Sequence, residues 1–261
     1  MRWFLLCDGR SGLRFAPDGT PEGLDDRFFA DTDAALALAA DHGLRVMFVL
    51  LNFDWLGQAQ TVHGVQLRGR GDVVKRPRQR AALMEKVIVP ILERYGRHPA
   101  LWAWDVINEP EWATRWRDTP GDSLLASAAA MRELILDGVA AVRRLTVHRA
   151  TVGLVGTRGL DLVRGVDIDF YQFHWYDSVQ DRVPLDVPLA SLGLPRPVLL
   201  GEFPTTGSAR RPGAIVEAAR RAGYAGALAW SLLATDTASD AARSGPALAD
   251  LARDWGTAPA S

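Results

Sequence analysis

Two glutamates in this chain stand where an apolar run meets a turn signal. Glu109 closes the run at 102–109 and precedes Pro110, and Glu202 closes the run at 198–202. A pair of carboxyl groups can cleave a glycosidic bond, because one protonates the leaving oxygen while the other attacks the anomeric carbon or activates water. The sequence therefore predicts a carboxylate pair suited to that chemistry.

The position of both glutamates at strand ends supports a catalytic interpretation. In a parallel β/α barrel the carboxyl ends of the strands form the active-site rim. A solvated strand-end residue is the alternative for each, but the same placement occurs twice and Asn108 precedes Glu109. A neutral acid and an ionised partner must coexist at one pH, so their surroundings must push the two pKa values apart.

Seven apolar runs are predicted to form the strands that position these residues. They alternate with amphipathic segments and are apolar throughout, as is typical of parallel strands buried on both faces. The predicted strands are Arg2–Leu6, Arg45–Leu51, Leu101–Ile107, Ala150–Leu154, Asp169–His174, Pro197–Glu202 and Ala225–Leu232.

The helices are predicted from apolar residues at three- and four-residue spacing. One ends before Gly43, and one opens at Pro212 and closes at Gly223. Pro90 should kink the segment between Leu83 and Tyr95. The remaining two are a long helix from Leu124 to Val142, capped by Asp122 or Ser123, and a last helix around Leu248, Leu251, Ala252 and Trp255.

The predicted fold class is α/β, a TIM-type barrel formed by one catalytic domain over residues 1–261. A closed barrel of this kind has eight strands, whereas seven are predicted here. Either the true start lies upstream or the first βα unit is missing. A partner chain could fill the open edges of an incomplete barrel.

The composition excludes several other classes of protein. A net charge of −1 argues against a nucleic-acid binder, which would show a basic face. No apolar run reaches the ~20 residues of a membrane span. Cys7 is the only cysteine, so no disulfide forms within the chain. As written, the start carries no export signal, which predicts a cytoplasmic protein, or a secreted one if the N-terminus is truncated.

The Asn108-Glu109-Pro110 run and the later Glu202 resemble the clan A glycoside hydrolases, most closely family 5, the cellulase and mannanase family. The likeness spans Arg2 to the strand of Trp230, if the first strand here is the family's second. It implies that Glu109 is the acid/base and Glu202 the nucleophile. By the same resemblance, substrate-binding roles fall to Arg2, Asn108, His174, Tyr176 and Trp230.

Chemistry supports these implied roles. An arginine and a tyrosine hydroxyl near Glu202 would favour its ionised form, and an indole face suits the C–H face of a pyranose. One departure concerns the family's third-strand histidine, for which Asn52 or Asp54 is the available hydrogen-bonding replacement. Four further tryptophans are candidates for outer sugar subsites or for packing, and Asp8 and Asp236 for substrate contact or turns. The tryptophans are Trp55, Trp112, Trp116 and Trp175.

The sequence thus predicts a retaining hydrolase of β-linked gluco- or manno-saccharides, without cofactor or metal. Neither metal-ligand spacing nor a Gly-rich dinucleotide motif is present. A carbohydrate substrate is the expected partner, with no nucleic acid and no membrane. One alternative is a non-catalytic carbohydrate-binding protein on a degenerate barrel. Another is a lyase or isomerase, although no metal site, phosphate loop or strand-end lysine is convincingly placed for it.

Overall fold

A computed structural model of the chain describes most of the 261 residues. The described residues are 1–116, 124–232 and 236–240, together with 245, 246, 248, 249, 253 and 255, and the side chains of 180 and 181 are not described. They divide into two compact units. The first comprises residues 1–153 and 159–169, and the second comprises 154–158 and 170–261.

The first unit is organised around four parallel strands, which lie side by side in the order residues 2–4, 46–52, 101–108 and 149–154. Apolar side chains fill both faces of the central strands, which explains their uninterrupted apolar sequences. In the register, Val49 lies beside Asp105 and Asn52 beside Asn108. The strands are β1 (Arg2–Phe4), β4 (Val46–Asn52), β7 (Leu101–Asn108) and β10 (Arg149–Leu154).

Helices and small two-stranded ladders connect these strands. The helices are α1 (Phe28–Asp41), α2 (Asp72–Lys75), α3 (Pro77–Leu83), α4 (Val89–Tyr95), α5 (Ala128–Leu145) and α6 (Leu160–Val163). The ladders pair β2 (Leu13–Phe15) with β3 (Pro21–Leu24), β5 (Gln60–Val62) with β6 (Val65–Leu67), and β8 (Thr114–Arg115) with β9 (Ala126–Ser127). Single 3-10 turns span Phe53–Leu56, Pro110–Ala113 and Thr157–Gly159.

The second unit contains three parallel strands in the order β11-β12-β13. These strands are β11 (Tyr171–His174), β12 (Val198–Pro204) and β13 (Ala227–Trp230), and α7 (Pro212–Ala222) precedes the last of them. Two 3-10 segments, Asp177–Arg182 and Leu189–Leu192, lie between β11 and β12. The register places His174 beside Glu202.

A glycine allows α5 to pack against the strand that ends at Asn108. A Cβ added to Gly138 would lie 2.5 Å from the Val106 side chain. Real Cβ atoms do not approach a neighbour so closely, and a close-packed interior has no room to accommodate the clash. The small residue therefore fixes the separation between α5 and β7.

Several helix boundaries differ from the sequence predictions. Ser127 caps α5 by accepting a hydrogen bond from the Ala130 amide, four residues after Ser123, the later of the two predicted capping residues. Asp122 and Ser123 lie outside the described residues, as do parts of the last predicted helix. Before Pro90 the chain forms a π-helical turn, Met84–Ile88, which accommodates the missing amide donor in a continuous helical path.

The arginine-rich stretch from Arg68 to Arg80 is largely helical. It includes α2 and the start of α3, and Arg80 is buried. Its guanidinium bonds to Glu133 and Asp137 on α5. Among the described residues, no helix is long and apolar enough to cross a membrane.

Candidate functional site

Glu109 follows β7 directly and has a left-handed backbone conformation, with φ 47° and ψ 51°. Its amide donates to the Gly153 carbonyl at 2.7 Å. A non-glycine residue in this region costs on the order of 1–3 kcal/mol, and such residues cluster at functional sites. This conformation breaks the alternation of side chains along β7, so the Glu109 side chain points in a different direction from the one that a continued strand would give it.

A buried ion pair supports the end of β7 from within the first unit. The Arg2 guanidinium donates to Asp105 Oδ2 from Nε at 3.0 Å and from Nη2 at 2.8 Å. Nη2 also donates to Asn108 Oδ1 at 2.6 Å. The Arg2 side chain is 5% exposed and that of Asp105 is fully buried. Because the ion pair is buried, the Arg2 guanidinium is held in place and in turn fixes the Asn108 side chain.

Replacing Asp105 with alanine is expected to reduce the free energy of unfolding by roughly 3–5 kcal/mol, because the buried guanidinium loses its carboxylate. Denaturant titration measures the loss. The matched control is Asp26→Ala, which removes the exposed partner of Arg14 and should cost less than about 1 kcal/mol. Equal losses in the two variants would contradict a structural role for the buried pair.

The amide of Asn108 is also bonded to the neighbouring strand. Its Nδ2 donates to Asn52 Oδ1 at 2.9 Å, and Asn52 Nδ2 donates to Asp54 Oδ2 at 3.0 Å. The second oxygen of Asp54 lies 3.1 Å from an Arg68 nitrogen. The two predicted replacements for a third-strand histidine therefore act together, as successive members of one hydrogen-bonded chain.

The surroundings of the Glu109 carboxyl group raise its pKa from an ordinary 4.5 to about 7. Desolvation is the largest cause of this increase. The Arg2 charge and a hydrogen bond from Trp112 Nε1, 3.1 Å from Oε2, act in the opposite direction. The negative charges of Asp54 and Asp105 raise the pKa further. Glu109 can therefore donate a proton at a pH where most carboxyl groups are ionised.

This raised pKa predicts that stability falls as pH rises through the range from about 4.5 to about 7. In that window the folded state holds a proton that the unfolded state has released. The free energy of unfolding therefore falls by up to about 3 kcal/mol by pH 8. Glu109→Gln removes the ionisation, so its melting temperature should match wild type near pH 4.5 and exceed it by several degrees at pH 8. Exposed Glu93→Gln is the control. Parallel curves for Glu109→Gln and wild type would contradict the raised pKa.

Within the second unit, Glu202 lies inside β12, which runs two residues past the predicted end. Its side chain is 7% exposed. The Tyr176 hydroxyl donates to Glu202 Oε2 at 2.9 Å, and His174 Nδ1 lies 3.6 Å from Oε1. The Glu202 carbonyl accepts from the Trp175 amide at 2.9 Å. These contacts hold the Glu202 carboxyl group in one orientation.

Trp230 ends β13, also in the second unit. Its Nε1 donates to Asp236 Oδ2 at 2.9 Å, while the other oxygen of Asp236 accepts from Ala238 and Ser239. Asp236 therefore has the turn role favoured by the sequence and also orients the indole. The Thr205 hydroxyl donates to the Trp230 carbonyl at 3.0 Å.

The other residues that the sequence suggested for substrate contact differ in their burial and in their hydrogen-bond partners. Trp55 and Trp175 are each 1% exposed and are packing residues, whereas Trp112 is 48% exposed. Asp8 is bonded to Arg10, at 2.9 Å between Arg10 Nε and Asp8 Oδ1. The supporting role of Asp105 was missed by the sequence reasoning. The signal was available, since a charge inside an apolar run indicates a buried ion pair.

Comparison with known proteins provides relatives at low identity. No family model matches the chain. A mannan endo-1,4-beta-mannosidase from Mytilus edulis is 24% identical over 274 residues, covering 88% of this chain and 72% of the relative. The crystal structure of endo-1,4-beta-mannanase from Eisenia fetida superposes with a TM-score of 0.76 at 22% identity, over 92% of this chain and 75% of the other.

The chain has the fold of the β-mannanases. This confirms the predicted TIM-type class and the resemblance to family 5. A family 5 structure from Streptomyces cattleya, in complex with Manβ1-4GlcNAc, matches with a TM-score of 0.68 at 15% identity and covers 99% of this chain and 72% of that one. The absence of a first βα unit stays a prediction, as do the roles of the site residues.

Proposed function

We propose that this chain is a single-domain retaining β-glycoside hydrolase that acts on β-mannan or manno-oligosaccharides. The observation that carries the proposal is the placement of Glu109 directly after β7, where desolvation raises its pKa to about 7 and a substantial fraction of the carboxyl group stays protonated at neutral pH. Glu202 is the second carboxyl group, and the Tyr176 hydroxyl donates a hydrogen bond to its Oε2 at 2.9 Å. A double displacement requires one carboxyl group that donates a proton and one that attacks as a nucleophile.

In the first step, Glu202 attacks the anomeric carbon as a nucleophile. The bond from that carbon to the glycosidic oxygen breaks, and the oxygen takes the proton of Glu109 and departs as a hydroxyl. In the second step, Glu109, now a carboxylate, removes a proton from water. The resulting oxygen attacks the anomeric carbon and releases the carboxylate of Glu202, so the two inversions retain the β configuration.

The supporting residues have roles that match this chemistry. Tyr176 and His174 orient the Glu202 carboxylate for attack. Asn108, fixed by Arg2, presents its amide to the sugar 2-hydroxyl. The indole of Trp230, held by Asp236, offers a flat surface to a pyranose.

The substrate class rests on the relatives. The names of the Mytilus and Eisenia proteins specify β-1,4-mannan, and the Streptomyces structure contains a β-linked mannosyl disaccharide. These likenesses favour mannan over glucan, a choice that the site residues alone leave open. The non-catalytic alternative lacks support, because the Mytilus and Eisenia relatives are named as glycoside hydrolases.

Hydrolysis of β-mannan followed by proton NMR tests this function. We expect new reducing ends on mannan and manno-oligosaccharides, with the β-anomer formed first and mutarotation following. β-Glucan and cello-oligosaccharides serve as comparison substrates. Initial formation of the α-anomer would contradict retention, and saccharide binding without release of reducing ends would favour the non-catalytic alternative.

A further inference from the structure

The hydrogen bonds that link Arg2 of β1 to the carboxyl ends of β7 and β4 have a defined direction. Arg2 can only donate, so the atom of Asn108 that faces it is the carbonyl oxygen. The Asn108 amino group is thereby directed to the Asn52 oxygen, at 2.9 Å. At the other end, the carboxylate of Asp54 accepts from the Asn52 amino group, at 3.0 Å. Arg2 at one end and Asp54 at the other therefore fix the orientations of both amides.

Because Asn52 and Asn108 are buried, the hydrogen bond from Asn52 to Asp54 is important for the orientation of both amides. Asn52 is 6% exposed and Asn108 is 4% exposed, so both amides are largely removed from bulk water. A buried polar group that loses its partner pays a desolvation cost, which a side chain avoids by rotating toward another partner. If Asp54 were absent, rotation of Asn52 would break its bond to Asn108.

We propose that Asp54 is a positioning residue that fixes the Asn108 amide through Asn52. Its carboxylate lies beyond the end of β4, in the 3-10 turn Phe53–Leu56, and is held there by Arg68. The proposal deepens the proposed function, because Asn108 is the residue assigned to the sugar 2-hydroxyl. Asp54 itself acts without touching the sugar.

The first test is independent of catalysis. Selective ¹⁵N labelling of asparagine allows the side-chain amide resonances of Asn52 and Asn108 to be assigned from their loss in the two alanine variants. Asp54→Ala is expected to shift both sets of resonances. Asp54→Glu should return them toward wild type, and Asp26→Ala, at an exposed aspartate of the same unit, should leave both unchanged. A shift confined to Asn52 would overturn the proposal.

The second test measures kcat/KM on manno-oligosaccharides in a double-mutant cycle. Asp54→Ala should lower kcat/KM by about tenfold, the scale of one hydrogen bond to a charged group. In an Asn108→Ala background the same change should have almost no further effect, because the two residues act as one unit. Multiplicative losses would show that Asp54 acts by another route and would overturn the proposal.

Two precautions keep the outcomes distinct. Asp54→Asn preserves the side-chain volume and should show smaller shifts in the same direction, so it replaces Asp54→Ala if thermal unfolding shows that the alanine variant is misfolded. Failure of the proposed function is recognised separately, as wild-type protein that releases no reducing ends. The NMR test remains decisive for Asp54 in that case, because it needs no turnover.

Discussion

Glu202→Gln is expected to reduce turnover of manno-oligosaccharides by roughly 10⁴-fold or more while the fold survives. Glutamine has nearly the same shape and can still accept the hydrogen bond from Tyr176. It lacks the negative charge that attacks the anomeric carbon, so no glycosyl intermediate forms. Initial rates at saturating substrate measure the loss, and circular dichroism with thermal unfolding checks the fold.

A control variant separates lost chemistry from lost packing around Glu202. Tyr176→Phe removes only the hydroxyl that donates to Oε2, so its effect should be far smaller, on the order of 10- to 100-fold. Adding azide or formate to Glu202→Ala should restore some turnover, because a small anion replaces the missing carboxylate, and the rescued product should be an α-glycosyl adduct. Near-normal turnover by Glu202→Gln would exclude Glu202 as the nucleophile.

The fold was predictable because most of its parallel strands, β4, β7, β10, β11 and β12, are buried along nearly all of their length. Such strands are continuous apolar runs, and each of the seven predicted runs overlaps a strand in the described residues. Their ends were less predictable. β1 stops at Phe4 rather than Leu6, and β12 continues to Pro204 beyond Glu202. Strand ends depend on the partner strand and the following turn, which a single apolar run does not specify.

The residue types at the site could be predicted from the sequence, but the interactions between those residues could not. The glutamates stand out because a charge at the end of an apolar strand is conspicuous in a sequence. The pKa of Glu109 depends on its desolvation and on how Arg2, Trp112 and Asp54 surround it in three dimensions. The bond between Asn108 and Asn52 depends on the register between β7 and β4. Neither the surroundings nor the register can be read from one segment of sequence.

Glu109→Ala should show a loss of activity that depends on the leaving group. A natural manno-oligosaccharide needs its departing oxygen protonated, so we expect kcat to fall by about 10²- to 10⁴-fold. An aryl mannoside with an acidic phenol leaves without a proton, so its glycosylation step should be nearly unaffected. Comparison of a dinitrophenyl mannoside with mannotetraose therefore separates the acid role of Glu109 from a general structural defect.

The pH profile provides a second signature of the same role. In wild type the first step requires protonated Glu109, so kcat/KM on mannotetraose should decline as pH rises through about 7. In Glu109→Ala this alkaline limb should disappear for the dinitrophenyl substrate. Trp112→Phe removes the indole donor that lowers the pKa of Glu109, so it should move the limb to higher pH without abolishing activity. Equal losses of Glu109→Ala on both substrates would contradict the acid/base role, because only the leaving group differs in its need for a proton.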